Sequence, residues 1–266
     1  MFIRPVSDIH NEFSVFNLPV TDKDSKSVLL LAGDIAVADR VESTLIPFLD
    51  SVTDRFRDIL YIPGNHEYYG TSILRGDDKL LGACRRYGNV HFMQKKSMVI
   101  DDFVFIGATL WTDFNRNNPM VMAEARDSMN DYNYIRTGTV KDPYLRKLRP
   151  LDVAGINADH KMFIRAELEK ATHANMRKVV FTHHGMSLIT RHPSYSIGNL
   201  DFAYYNTGCE DMIYDFEPEL VVHGHSHFPA DEMMGKTRFF SNPRGYSKDK
   251  DGDQNLGFDR DCVIEL

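Results

Sequence analysis

Three features of the 266-residue sequence predict an α/β fold. Continuous apolar runs of strand length recur, as in Val28-Leu29-Leu30-Leu31-Ala32 and Asp58-Ile59-Leu60-Tyr61-Ile62, the pattern of strands buried on both faces. Between these two runs, residues 42–56 place Leu45, Ile46, Leu49, Val52 and Phe56 at helical spacing. Strand, helix and strand in that order form a βαβ unit with a parallel pair. The third feature is chemical: one apolar run after another stops at a turn that presents Asp, Asn or His.

Taken in order, residues 2–6 read as the opening strand and lead into Ser7-Asp8-Ile9-His10. Residues two apart in extended backbone project to the same side, so Asp8 and His10 form half of a metal shell. The strand at 28–32 ends in Gly33-Asp34, and the strand at 58–62 ends in Pro63-Gly64-Asn65-His66-Glu67. There Gly64 lets the backbone turn, Asn65 offers a neutral amide oxygen and His66 an imidazole that exchanges protons near neutral pH. Residues 77–87 read as a helix burying Leu80, Leu81 and Cys84, residues 89–102 as a pair of strands, and 103–107 as another core strand ending near Trp111, a packing or rim residue.

Residues 112–160 differ in character: Asn and Asp are dense and periodicity is poor between Arg136 and Pro150. Arg136, Lys141, Arg146, Lys147 and Arg149 face one acid, Asp142, so the segment reads as an insert or cap meeting an anionic substrate, or as a solvated basic loop. A helix is expected over 160–173, a strand over 178–181 ending in Thr182-His183-His184, a short helix or turn over 211–216, and a strand over 220–222 ending in His223-Gly224-His225-Ser226-His227. A strand over 237–240 precedes Asn242-Pro243-Arg244-Gly245-Tyr246, a polar surface loop spans 247–260, and residues 262–266 close with a strand. With no repeat and no linker, one domain over 1–266 is the economical organisation.

A net charge of −7 argues against the basic face that a nucleic-acid backbone needs. Three scattered cysteines, Cys84, Cys209 and Cys262, point to reduced thiols rather than a disulfide framework. The N-terminus lacks an apolar signal region, and no apolar run is long enough to span a bilayer. The expectation is therefore a cytoplasmic chain without a membrane partner.

Five strand ends supply metal-competent groups: Asp8 with His10, Asp34, Asn65 with His66, His183, and His225 with His227. Imidazole, carboxylate and amide oxygen without thiolate suit Mn, Fe or Zn ions, not a structural cysteine-bound zinc. In this order, Asp8-x-His10, Gly33-Asp34, Gly64-Asn65-His66-Glu67, His183 and Gly224-His225-x-His227 resemble the five motifs of the calcineurin-like metallophosphoesterases. The resemblance implies a four-layer fold, a two-sheet β-sandwich flanked by helices, with two metals at the strand ends. It assigns Asp8, His10 and His227 to one metal, Asn65, His183 and His225 to the other, and Asp34 to both. His66 assists the leaving group, His183 rather than His184 matches the ligand position, and His223 is a supporting or packing residue. The pattern often continues Gly-Asp-x-x-Asp; Val37 stands at the last position here, leaving Asp39 and Glu67 as candidate supports.

The implied activity is hydrolysis of a phosphodiester by metal-activated hydroxide. Two metals about 3.5–4 Å apart share a carboxylate, lower the pKa of a bridging water and absorb charge on phosphoryl oxygens. The expected substrate is a small phosphate ester or nucleotide. A phosphomonoesterase is the alternative, and a non-catalytic scaffold the alternative from another class. Arg244 is a candidate phosphate contact through its planar fork, with a structural ion pair as the competing role. Tyr68 and Tyr69 line a nucleotide base or pack.

Overall fold

The computed structural model describes residues 1–193, 196–248, 252–253, 255 and 257–266. The first half runs β1 (Phe2–Val6), β2 (Ser27–Ala32), α1 (Val41–Val52), β3 (Asp58–Ile62), α2 (Ile73–Cys84), β4 (Val90–Phe92), β5 (Lys96–Ile100) and β6 (Phe103–Ala108). Then follow α3 (Phe114–Asn117), α4 (Pro119–Ser128), α5 (Asp131–Tyr134), β7 (Arg136–Thr137), β8 (Arg146–Lys147) and α6 (Pro150–His173). The last third holds β9 (Arg177–Thr182), α7 (Asp201–Tyr204), α8 (Glu210–Phe216), β10 (Leu220–His223), β11 (Ala230–Met234), β12 (Thr237–Ser241), β13 (Ser247–Lys248), β14 (Gly252–Asp253) and β15 (Ile264–Glu265). The surface loop expected over 247–260 lies partly outside the described residues.

Two main sheets form, in the orders β15-β1-β2-β3-β4 and β11-β12-β10-β9-β6-β5. β1 to β4 are mutually parallel, as are β12, β10, β9 and β6. Alternation along each strand separates three apolar layers. Val28, Leu30, Leu60 and Ile62 meet Phe105, Val179, Phe181 and Val222 between the sheets. Leu29, Leu31 and Ile59 turn outward onto Leu45, Leu49 and Leu80 of α1 and α2. Ile106, Val180 and Val221 turn outward onto Ile164, Leu168 and Ile213 of α6 and α8. Two sheets face to face, each under its own helices, are the four-layer fold that the motifs implied. Among the described residues, no helix is long and apolar enough to cross a membrane.

The two strands expected within 89–102 form, but in different sheets: β4 joins β3 in the first, whereas β5 pairs antiparallel with β6 in the second. Two expectations need correction. Residues 112–160 carry more structure than their poor periodicity predicts; Phe114, Val121, Ala125, Tyr132, Ile135, Leu148 and Val153 share a core with Trp111 and Tyr68. The long helix starts at Pro150, not 160, with proline in its first turn and the Asp152 carboxylate accepting from the Arg149 amide at 3.0 Å. Its N-terminal half escapes a periodicity reading because its buried face is small and polar, with Ala154, Asn157 and His160 beside Val153.

His160 is a titrating element of this fold. The Leu110 amide donates to its Nδ1 at 3.1 Å, and burial pushes its pKa from 6.5 down to about 4. The unfolded chain binds the proton below pH 6.5 and the folded chain only near 4, so this contribution is complete above 6.5 and lost on acidification to 4. Wild type should lose about 3 kcal/mol of stability relative to His160→Gln across that window. Urea unfolding of both proteins at stepped pH checks this; parallel pH profiles would refute it.

Candidate metal centre

The C-terminal ends of β1, β2, β3, β9 and β10 converge on one edge, and glycines let them come close. A Cβ on Gly64 would strike Asp34 Oδ1 and lie 2.7 Å from His183 Cε1. At Gly33, φ is +86° and a Cβ would lie 2.5 Å from His183 Nδ1. The backbone beyond the strands is strained: φ is 54° at Asp8, 47° at His10, 54° at Asp34, 67° at His225 and 50° at His227. Each such residue costs about 1–3 kcal/mol, a cost that persists where the surroundings dictate the conformation.

Two donor clusters result. In the first, donor atoms of Asp8, His10 and His227 lie within 4.8 Å of one another. His10 Nε2 is 3.1 Å from His227 Nε2, which is 3.4 Å from Asp8 Oδ1. In the second, Asp34, His183 and His225 gather within the same 4.8 Å, and Asn65 Oδ1 lies 3.0 Å from His183 Nε2. Asp34 reaches both: Oδ1 is 3.4 Å from His183 Nε2, and Oδ2 is 3.8 Å from His10 Nε2. A third grouping of His10, Glu12 and His66 adjoins the first.

The donor set fits cations. His225 Nε2 is buried with no hydrogen-bond partner, and burial, followed by the neighbouring His184 and His183, holds the ring well below the usual histidine range. A neutral, partnerless ring nitrogen beside a carboxylate is a lone pair awaiting a cation. Far-side hydrogen bonds prepare two other rings in the same way. His183 Nδ1 is 2.9 Å from the Ala32 carbonyl, and His10 Nδ1 is 3.0 Å from the Glu12 carboxylate. Donation from each Nδ1 turns the Nε2 lone pair toward the cluster.

The supports were only partly foreseen. Glu67 is fully buried, and its carboxylate accepts from the amides of Asp34 (2.9 Å), Gly64 (2.7 Å) and Ile35 (2.7 Å) and from the Tyr61 hydroxyl (2.8 Å). It secures the Asp34 turn where Val37 replaces the usual acid. Asp39, the other candidate, instead accepts from Lys79 at 2.8 Å on the surface. Glu12 takes both His10 Nδ1 and His66 Nδ1 at 3.0 Å; burial opposes its charge, but the two imidazoles outweigh it and bring the pKa to about 2. The sequence signal for Glu12 is its place two residues beyond His10, continuing the Asp8-x-His10 alternation. Asp131 is buried in α5, and its Oδ1 accepts from Asn65 Nδ2 at 2.8 Å and from the Tyr69 hydroxyl at 2.7 Å. That contact fixes which way the Asn65 amide faces.

His66 stands beside the first cluster. Its amide donates to Asp34 Oδ1 at 2.8 Å, its ring stacks on Tyr69 at 4.2 Å, and Nε2 is 3.1 Å from the Tyr246 hydroxyl. Burial disfavours its charge, yet Asp34 and Glu12 outweigh burial and raise its pKa to about 9. The other residues singled out from sequence take quieter places. Arg244 is buried, donating to the Ile9 carbonyl at 2.8 Å and the Ser14 hydroxyl at 3.1 Å while lying over Phe16 at 4.9 Å; it tethers the loop after β1 and does not line the cavity beside the cluster. His223 lies 2.7 Å from the Thr190 hydroxyl, His184 packs on His225 at 4.0 Å, and Tyr68 stacks on the buried Trp111 at 6.0 Å.

A cavity of about 340 Å³ opens over the clusters, lined by Asp34, Asn65, His66, Tyr69, His225, His227, Tyr204 and Tyr246. Its far wall is Ser128, Met129, Asn130 and Asp131. The basic residues of 136–149 expected to meet an anion are absent from that lining; Arg146, for one, pairs with Asp152.

This architecture and site belong to one class of protein: residues 6–229 match the calcineurin-like phosphoesterases, and the chain is a member of that family. Among individual proteins, an uncharacterized protein of Acanthamoeba polyphaga mimivirus is 24% identical over 93% of this chain and 92% of its own length. The phosphopantetheinyl hydrolase of Mycobacterium tuberculosis shares the fold with a TM-score of 0.69 at 19% identity, over 92% of this chain and 89% of that one. A dimetal phosphatase from Danio rerio shares it with a TM-score of 0.52 at 11% identity, over 90% and 86%.

Proposed function

We propose that the chain is a dinuclear metal-dependent phosphoesterase acting on phosphodiesters. The observation that carries this is Asp34, whose two oxygens face separate nitrogen and oxygen clusters 3.4 and 3.8 Å away. Asp8, His10 and His227 would hold one ion, Asn65, His183 and His225 the other, and Asp34 both; Mn and Fe suit this thiolate-free set, with Zn also accommodated. Bound there, the ions supply an acidified water and neutralise phosphoryl charge. The protein contributes orientation and a proton: Asp131 aims the Asn65 oxygen, Glu12 fixes the His66 ring, and His66, which lines the cavity with its Nε2 3.1 Å from the Tyr246 hydroxyl, would be the general acid for the departing oxygen.

The preference for a diester rests on charge. Among the described residues lining the 340 Å³ cavity, none is Lys or Arg. A diester brings one negative charge, whereas a monoester near neutral pH brings almost two and calls for more cations. The segment 112–160 is then a cap that completes the cavity wall without adding a Lys or Arg to it. Three free thiols, two of them buried, support a reducing compartment such as the cytoplasm.

Side-by-side turnover of bis-p-nitrophenyl phosphate and p-nitrophenyl phosphate by Mn²⁺-loaded protein tests the reading. The diester should be the better substrate, and His66→Gln should lower its kcat by about 10²–10⁴ with metal content unchanged. Turnover of the monoester alone would make the protein a phosphomonoesterase; no turnover and no bound metal would leave a scaffold.

A further inference from the structure

A second, larger cavity of about 810 Å³ adjoins the first and shares His66, Tyr69, Asn130 and Tyr246 with it. Four aromatic rings line it: Phe13 and Tyr246, with ring centres 5.6 Å apart, and Tyr69 and Tyr134, 5.5 Å apart. Phe13 is 62% exposed and Tyr134 54%, although both are large side chains that could have packed inward. The two carboxylates lining this space are engaged, Glu12 by His10 and His66 and Asp39 by Lys79, and Arg40 is the cation among the described lining residues.

Resting on the phosphoesterase reading above, we infer that this cleft is the leaving-group subsite and that it takes a flat ring, as in a nucleoside esterified through the scissile phosphate. The position supports it: His66, the proposed proton donor, forms the boundary between the two cavities, so a group that departs toward His66 enters the aromatic cleft. The chemistry supports it as well. Every nucleobase has a π-face, and exposed aromatic rings lining a cleft are stacking partners for one. A small aliphatic alcohol would leave these rings in water.

The test uses the full-length, metal-loaded protein and the Phe13→Ala/Tyr134→Ala double variant. Both side chains are more than half exposed, so the substitutions spare the core. The ratio of kcat/KM for bis-p-nitrophenyl phosphate to that for glycerophosphoethanolamine should fall about tenfold in the variant. A merely structural role would lower both values and leave the ratio alone. In parallel, calorimetry should show adenosine binding to wild type and a Kd about tenfold weaker in the variant. An unchanged ratio with undiminished or absent adenosine binding overturns the subsite while leaving hydrolysis in place. If wild type hydrolyses neither ester but binds adenosine through these rings, the ring-binding cleft is supported and the phosphoesterase reading is what fails.

Discussion

Replacing Asp34 with Asn should abolish most of the hydrolytic activity and cut the metal content below two ions per chain. The substitution keeps shape and removes the charge that both clusters share, with one oxygen 3.4 Å from His183 Nε2 and the other 3.8 Å from His10 Nε2. It also brings an amide N–H₂ into a ring of nitrogen donors, where the His66 amide at present donates to Oδ1 at 2.8 Å. Loss of one bridging charge from a dinuclear site is worth about 4 kcal/mol, hence roughly 10³-fold in kcat. Elemental analysis beside diester hydrolysis measures both effects. Two retained ions with near-wild-type turnover would remove Asp34 from its proposed bridging place.

A comparable disturbance is expected from Glu67→Gln, although Glu67 belongs to neither cluster. Its carboxylate gathers the amides of Asp34, Ile35, Ala36 and Gly64 with the Tyr61 hydroxyl, all in the buried interior. An amide in its place turns a donor toward these donors and leaves at least one or two of them unsatisfied. At about 1–3 kcal/mol for each buried orphan, the loss is about 3–5 kcal/mol, and the melting temperature should drop by roughly 10 °C. Because the same residue secures the Asp34 turn, metal affinity should weaken about 10–100-fold. Thermal unfolding together with metal titration checks the pair of effects; a variant as stable and as metal-avid as wild type would show that other contacts hold the turn.

The motif residues were legible because each follows a short apolar strand directly. Asp8 follows β1, Asp34 follows β2, His183 follows β9 and His225 follows β10, so a local pattern reported a local structure. The parallel character of the first sheet was legible from the strand, helix and strand between residues 28 and 62 for the same reason. The two sheets came only with the motif resemblance, and the division of strands between them was not legible, since nothing in residues 89–102 says that the chain leaves one sheet for the other between β4 and β5. Asp131 was invisible because its contact spans 66 residues and depends on how short helices pack around Trp111. Phe13 and Tyr134 carried no signal either: an aromatic residue in a loop looks alike whether it will be buried or left at the mouth of a cleft. Arg244 shows the opposite failure, a residue with the right chemistry that the fold uses to hold a loop.

The donors are divided between the two halves of the sandwich. Asp8, His10, Asp34 and Asn65 follow strands of one sheet, while His183, His225 and His227 follow strands of the other. Between the sheets lies an apolar layer, with Leu30, Phe181 and Val222 in it, and the volume of such a layer sets the spacing. A filled site is then a rivet through two plates, and its hole lines up only while the plates keep their distance. Volume changes at Leu30 or Phe181, which belong to neither cluster, become alignment errors at the edge, where catalysis should fail well before the fold does.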